Sequence, residues 1–172
     1  TSRNRAQVST PGHDERARES QTEAKDFLDP HLKPKSTVAY ASRGQHIHSP
    51  SILTLSGRPV NCLVRGRSYR YVYQVTFTRR AHNVRFAMLI KTVSGIELGG
   101  AVSAAQPAKG IACITAGETA FIEFRFDCRF NPGVYFLNAG VLGADQEEET
   151  FLHRVIDLHM FKVLPFKNDS KT

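Results

Sequence analysis

The sequence predicts an all-β fold: an antiparallel sandwich of immunoglobulin-like or jelly-roll type behind a polar N-terminal linker. Three observations carry that expectation. Apolar residues alternate at period two from Ser36 to Leu164. Turn residues recur at roughly 8–12-residue spacing. No stretch shows the 3.6-residue apolar period of a convincing amphipathic helix.

Residues 1–26 contain one apolar residue besides alanine, Val8, among Arg, Glu, Ser, Gln and Thr. Such a stretch cannot bury enough surface to offset its ordering entropy. Residues 1–35 are therefore expected to be a linker, with a short helix over Glu19 to Leu28 and breaks at Pro30 and Pro34. The sandwich is expected over 36–166 and a disordered tail over 167–172. Short strands are expected at Thr37–Ala41, Ser51–Leu55 and Val60–Val64, the last two separated by Gly57-Arg58-Pro59.

The clearest strand runs from Tyr69 to Thr78. Tyr69, Tyr71, Tyr73, Val75 and Phe77 alternate with Arg70, Val72, Gln74, Thr76 and Thr78, so one face is core. From Val84 to Val93, Val84, Phe86, Met88 and Ile90 point inward and Arg85, Ala87, Leu89 and Lys91 outward. Ser94-Gly95 turns the chain into Ile96-Glu97-Leu98 as a hairpin. Ile111–Thr115 is short. Thr119–Cys128 sets Ile122, Phe124 and Phe126 against Phe121, Glu123, Arg125 and Asp127. Asn131-Pro132-Gly133 is a turn. Val134–Leu142 follows, with Tyr135, Leu137, Ala139 and Val141 inward, and Phe151–Leu164 is the last long segment.

Composition narrows the function classes. The 172 residues are 41% hydrophobic and 23% charged, a profile that supports one ordinary globular core. No window approaches 18 consecutive apolar residues, and Thr1 to Arg5 is not a signal-peptide start. Beginning at Thr1 and not at Met, the chain is expected to be a fragment of a larger subunit. The net charge of +7 is scattered, without a basic run that would track a phosphate backbone, so nucleic acid is not an expected partner. Cys62, Cys113 and Cys128 form an odd set without CxxC spacing and read as free thiols in a reducing compartment.

Catalytic signatures are missing. No GxxxxGK[ST], GxSxG, HExxH or GxGxxG occurs. His46-Ile47-His48 puts two imidazoles on one side of an extended segment without a third ligand nearby, which favours surface histidines over a metal grip. Asp145 with Glu147, Glu148 and Glu149 reads as a solvated hairpin loop in preference to a Ca²⁺ site. His153 and Asp157, and likewise Glu123 and Asp127, lie about 13 Å apart if four residues along a strand separate them. No nucleophile–base–orienter set is visible, and no catalytic residue, cofactor or metal is expected.

The stretch from Pro34 to Pro165 resembles the C-terminal domain of Wzt, the ATPase subunit of O-antigen (lipopolysaccharide O-polysaccharide) ABC transporters. The resemblance runs through Pro34-Lys35-Ser36-Thr37-Val38-Ala39-Tyr40, Gly57-Arg58-Pro59-Val60-Asn61 and the segment from Val84 to Thr92. It continues through Ser94-Gly95-Ile96-Glu97-Leu98-Gly99-Gly100, the segment from Asn131 to Val141, and Phe151-Leu152-His153-Arg154-Val155-Ile156-Asp157. Where many members carry Asn-Thr after the hairpin this chain has Gly100-Ala101, so no role is carried to those positions. The resemblance implies a β-sandwich carbohydrate-binding module that recognises the non-reducing terminus of a finished O-polysaccharide and licenses its export. It implies a homodimer, in some members by exchange of the last strand. It also implies an ATPase domain ahead of Thr1, through which the subunit meets its membrane partner at the cytoplasmic face of the inner membrane.

With no tryptophan, the site is expected on outward polar groups of one sheet. If 84–93, 134–142 and 151–163 pair, the candidates are Arg85, Lys91, Asn138 and His159, with His153 or Arg154, around a shallow groove over Ala87 and Gly140. On the other sheet Arg70, Gln74 and Arg125 are the candidates. Arginine and lysine on a concave face suit a carboxylate or phosphate, so an anionic glycan terminus is expected. The alternative is a structural assembly sandwich whose strand edges pair with a partner and which binds no sugar.

Overall fold

The computed structural model of the chain describes residues 25–145 and 148–165. Eleven strands occur among them: β1 (Val38–Ala39), β2 (Gln45–Thr54), β3 (Pro59–Val60), β4 (Cys62–Leu63), β5 (Ser68–Phe77), β6 (Ala81–Thr92), β7 (Glu97–Val102), β8 (Ile111–Ile114), β9 (Thr119–Asp127), β10 (Gly133–Asp145) and β11 (Glu148–Val163). A single 3-10 turn, Pro107–Lys109, precedes β8.

The period-two pattern does what it predicts. Along β5 the residues Tyr69, Tyr71, Tyr73, Val75 and Phe77 are buried and their neighbours half-exposed. Along β6 Val84, Phe86, Met88 and Ile90 are buried. The β6–β7 turn follows its sequence: Gly95 takes φ +90°, where a Cβ is disfavoured, and the Ile96 N–H donates to Thr92 Oγ1.

Two sheets result. The larger has the order β1-β11-β10-β6-β7, with β4 also on β11 and β8 also on β6; the smaller has the order β3-β2-β5-β9. All pairings are antiparallel except the two-residue contact of β4 with β11 at Lys162 and Val163. The grouping of β6, β10 and β11 is therefore as expected from the sequence.

The core lies between the sheets. One end is aromatic: Tyr135 stacks on Phe161 at 5.3 Å, Phe130 sits 5.1 Å from Tyr135, and Phe126 is 5.9 Å from Phe161. One flank is thinner. Every residue of β7 is exposed, and Ile122, Phe124 and Phe126 of β9 are half-buried although they face the core.

The described part of the N-terminal stretch docks on the sandwich. Phe27 bridges Cys62 through the backbone. Asp26 is buried, pairs with Arg58 and Arg67, and accepts a hydrogen bond from Tyr69 Oη at 2.8 Å. Burial alone would push its carboxyl up, but Tyr69, Arg58 and Arg67 outweigh that and hold it below the usual range. The helix expected over Glu19–Leu28 lies mostly outside the described residues; its described end is extended, because Phe27 pairs with Cys62. The tail expected over 167–172 also lies outside them. Cys62 and Cys128 are buried free thiols, pushed up by burial, whereas Cys113 on β8 is exposed.

Two buried tyrosines make a test. Tyr73 Oη donates to the Ala87 carbonyl at 2.9 Å, with the Gly140 carbonyl at 3.2 Å, while Tyr71 Oη has no partner among the described residues. Tyr73→Phe is expected to destabilise the domain by about 1 kcal/mol in urea unfolding, whereas Tyr71→Phe should be neutral or stabilising, because its hydroxyl is buried without a hydrogen bond.

Candidate functional site

The outer face of β6, β10 and β11 carries the candidate site. Cross-strand register sets three side chains in a row: Ala87 on β6 opposite Gly140 on β10, and Gly140 opposite Arg154 on β11. Parallel to it run Arg85, Leu142 and Phe151 on one side and Leu89 and Asn138 on the other. Because the middle of the row is Ala and Gly, a groove of about 140 Å³ opens there, lined by Ala87, Leu89, Asn138, Gly140, Phe151 and Arg154. A Cβ at Gly140 would meet the Phe151 ring at 2.9 Å, so the groove depends on this glycine.

Two register shifts create the chemistry. Between Val141 and Leu142, β11 carries an extra residue: Val141 pairs with His153, but Leu142 pairs with Phe151. Leu152 and His153 are consequently both buried, and Phe151 turns out to the groove face. Between Leu137 and Ala139, three residues of β11, Ile156 to Leu158, face the single residue Asn138. Asp157 there adopts φ +51°, uncommon for a residue with a side chain.

A cation sits between two rings. The Arg154 guanidinium lies 5.1 Å from the Phe151 centroid and 5.7 Å from that of Tyr40, which the chain brings in just after β1. Tyr40 and Phe151 are both substantially exposed. Among the described residues no carboxylate pairs with Arg154. Past this ridge a second hollow of about 350 Å³ continues over Tyr40, Ser42, Arg43, Phe151 and His153.

The structure divides the residues singled out in the sequence. Asn138 lines the groove; its Oδ1 accepts from the Asp157 N–H at 2.8 Å, and its Nδ2 has no partner among the described residues. Arg85 is on the same face but spent on Glu149, with Nε to Oε2 at 2.9 Å and Nη2 to Oε1 at 2.5 Å, and Nη1 donates to the Ala104 carbonyl. The Glu149 hydrogen bond and charge keep that guanidinium firmly protonated. Lys91 is spent on Asp157 at 2.7 Å. His159 pairs with the core residue Leu137, and so it does not reach the groove. His153 also faces inward: its Nδ1 accepts the Ile47 N–H at 3.0 Å.

On the smaller sheet Arg70, Gln74 and Arg125 share the outer face, with Phe121 opposite Gln74 and Arg125 opposite Arg70. The hollow there, about 290 Å³, is larger than the groove, but Arg70 is paired with Glu123 at 2.9 Å, and of its two rings Tyr73 is buried in the core, which leaves Phe121 as the exposed one. The larger sheet offers the better recognition chemistry: a cation held between two rings, an amide donor and a small-residue floor. Tyr40 and Phe151 are the residues of the candidate site that the sequence did not single out. Phe151 is turned outward by the bulge, and Tyr40 lies just past a strand two residues long.

No group of three or more His, Cys, Asp or Glu able to hold an ion occurs among the described residues. His48 instead bonds the Ser49 and Thr76 hydroxyls.

The profile of the Wzt C-terminal domain matches residues 36–172, which include the whole two-sheet frame. The chain belongs to the Wzt C-terminal domain family. Among solved structures it is similar to the crystal structure of the C-terminal domain of wzt, with TM-score 0.69 and 22% identity over 82% of this chain and 90% of that one. At that identity the likeness establishes the fold. Weaker likenesses are to the solution NMR structure of the CARDB domain of PF1109 from Pyrococcus furiosus, with TM-score 0.40, 11% identity and coverage of 70% and 94%. Another is the Pseudomonas fluorescens alkylpurine DNA glycosylase AlkC bound to DNA containing an abasic site analog, with TM-score 0.42, 12% identity and coverage of 70% and 30%. No curated protein matches the sequence.

His159 gives this Wzt C-terminal domain a pH signature. Burial lowers its pKa from 6.5 to about 4, and its Nε2 has no partner among the described residues. The unfolded chain therefore binds a proton more readily than the folded one between those values, so stability is full above pH 6.5 and falls as pH drops. From pH 7.5 to 5 this histidine should cost about 2 kcal/mol in denaturant unfolding. His159→Phe is expected to lose less stability over the same interval than wild type. His153, lowered by burial and by neighbouring His46, contributes in the same direction in both proteins.

Proposed function

We propose that this domain is a non-catalytic carbohydrate-binding module that reads the anionic non-reducing terminus of an O-antigen polysaccharide for export by an ABC transporter. The observation that carries the proposal is the Arg154 guanidinium held between Phe151 and Tyr40, beside the Asn138 amide and over the Ala87–Gly140 floor. Rings present a sugar with an apolar face, and a stacked guanidinium presents its edge to a carboxylate or phosphate in bidentate geometry. The amide adds a hydrogen-bond donor whose position is fixed by Asp157. Affinity for one terminus should be weak, about −4 to −8 kcal/mol, or millimolar to micromolar.

The acidic groups support a binding role over hydrolysis. Glu149 and Asp157 are committed to Arg85 and Lys91, and Glu123 and Asp127 to Arg70 and Ser68. A glycosidase needs two carboxylates facing one bond across a groove. Family membership supports a transporter setting, and we include in the proposal an ATPase domain, a membrane subunit at the cytoplasmic face of the inner membrane, and self-association of the kind that some members achieve through the last strand. A sugar-independent assembly module is the second reading, favoured by the exposed strand β7 and by Phe121 on β9, 77% exposed.

Calorimetric or NMR titration of the chain with glucuronate and with glucose separates these readings, with O-polysaccharide fragments as the larger ligands. Glucuronate should bind at least about fivefold tighter than glucose, and Arg154→Ala should abolish that preference. Arg85→Ala should keep it, because Glu149 already occupies that guanidinium. Equal binding of the two sugars overturns the anionic terminus. A stable dimer that responds to no saccharide or O-polysaccharide favours the assembly module.

A further inference from the structure

We propose that the segment Ser36–Arg43 is a ligand-dependent strap: it supplies Tyr40, which covers Arg154 at the edge of the glycan groove, and its seating on β11 is thermodynamically linked to occupancy of that groove. The proposal rests on the groove assignment above and adds a regulatory element to the same site.

The strap is held almost wholly by polar contacts. β1 is two residues long, and Val38, Ala39 and Tyr40 are all exposed, so the segment buries little apolar surface. Its backbone attachments include the Val38 and Ala39 pairing with Ile156 and Val155, the Tyr40 N–H on the Arg154 carbonyl at 2.9 Å, and the Arg43 N–H on the Leu152 carbonyl at 2.9 Å. Few buried contacts and exposed backbone hydrogen bonds place such an element at the low-stability end of a fold. A modest ligand contribution can therefore change how often it opens.

The Ser36, Thr37 and Tyr40 side chains tie the strap to residues at or beside the groove. Ser36 Oγ donates to Asp157 Oδ2 at 2.5 Å, and Thr37 Oγ1 donates to the Asp157 carbonyl at 2.6 Å. The other carboxylate oxygen of Asp157 pairs with Lys91, and its N–H is bonded by Asn138, the groove's amide. Asp157 keeps its φ of +51° while strap, β6 and β10 all hold it. Such strained backbone persists where several contacts over-determine it. At the other end of the strap, Tyr40 covers the Arg154 guanidinium while its own N–H bonds the Arg154 carbonyl. A ligand that packs on Tyr40 and Arg154 contacts strap and sheet together, so it binds the seated state more tightly than the open one. Coupling of this kind is reciprocal: the factor by which ligand favours seating equals the factor by which seating favours ligand.

Amide hydrogen exchange on the full chain tests the link, read at Tyr40 and Arg43. Without ligand, Ser36→Ala/Thr37→Ala should speed exchange at both amides about tenfold, and Arg154→Ala should speed it at Tyr40; both substituted hydroxyls are on exposed residues, so folding is retained. With glucuronate at saturation, exchange at the two amides should slow about tenfold in wild type. Tyr40→Ala should remove that slowing, and the double variant should weaken glucuronate binding by a similar factor. Glucuronate binding without slowed exchange, or binding unaffected by the double variant, overturns the strap while leaving the groove intact. If glucuronate does not bind, the anionic-terminus reading fails separately. The strap is then judged by the ligand-free arm, where unchanged exchange in the double and Arg154→Ala variants overturns it.

Discussion

The large sheet takes its register from β10, paired along its length with β6 on one side and β11 on the other. A strand fixed on both sides has no freedom to slip, because a one-residue slip would turn Leu137 and Val141 out of the core. That constraint decides the rest. The irregularities of β11 must be absorbed by β11 itself, as bulges, and the bulges set Phe151 and Asp157 where they are. Small residues at Ala87 and Gly140 then become a floor, since their neighbours on both sides are held at fixed height.

How much of this was legible in the sequence depends on whether strict alternation survives. Along β5 and β6 it does, and the buried set from Tyr69 to Phe77 and from Val84 to Ile90 could be read residue by residue. The pairing of the three groove strands and the Ala87–Gly140 floor were equally legible. Along β11 alternation fails twice. Counting by twos puts Phe151 on the same side as His153, and the bulge at Leu152 reverses that. His159 was read as outward, whereas its partner Leu137 shows it to be inward; the second bulge adds two residues and keeps His159 in step with Val155 and Phe161. A bulge leaves little mark in composition, and Asp157 in a left-handed conformation offers only the weak hint that Asp tolerates it better than most residues.

Charge was the less informative signal. The net charge of +7 drew attention to every outward cation, yet Arg85, Lys91 and Arg70 are each paired with a carboxylate distant in sequence. Glu149 and Asp157 could not be assigned to those partners before the strand order was known. Arg154 differs because aromatic rings, not a carboxylate, flank it, and that contrast sets it apart from the cations spent on ion pairs.

The three thiols have a practical consequence. Cys62 and Cys128 are enclosed, with their thiolate forms disfavoured by burial, while Cys113 stands on the surface strand β8. Alkylating reagents attack thiolates they can reach. The native sequence therefore offers one addressable position for a fluorophore or spin label without mutagenesis. It lies beside β6 at His82, on one of the strands that form the groove floor, yet its residue is not among those lining the groove.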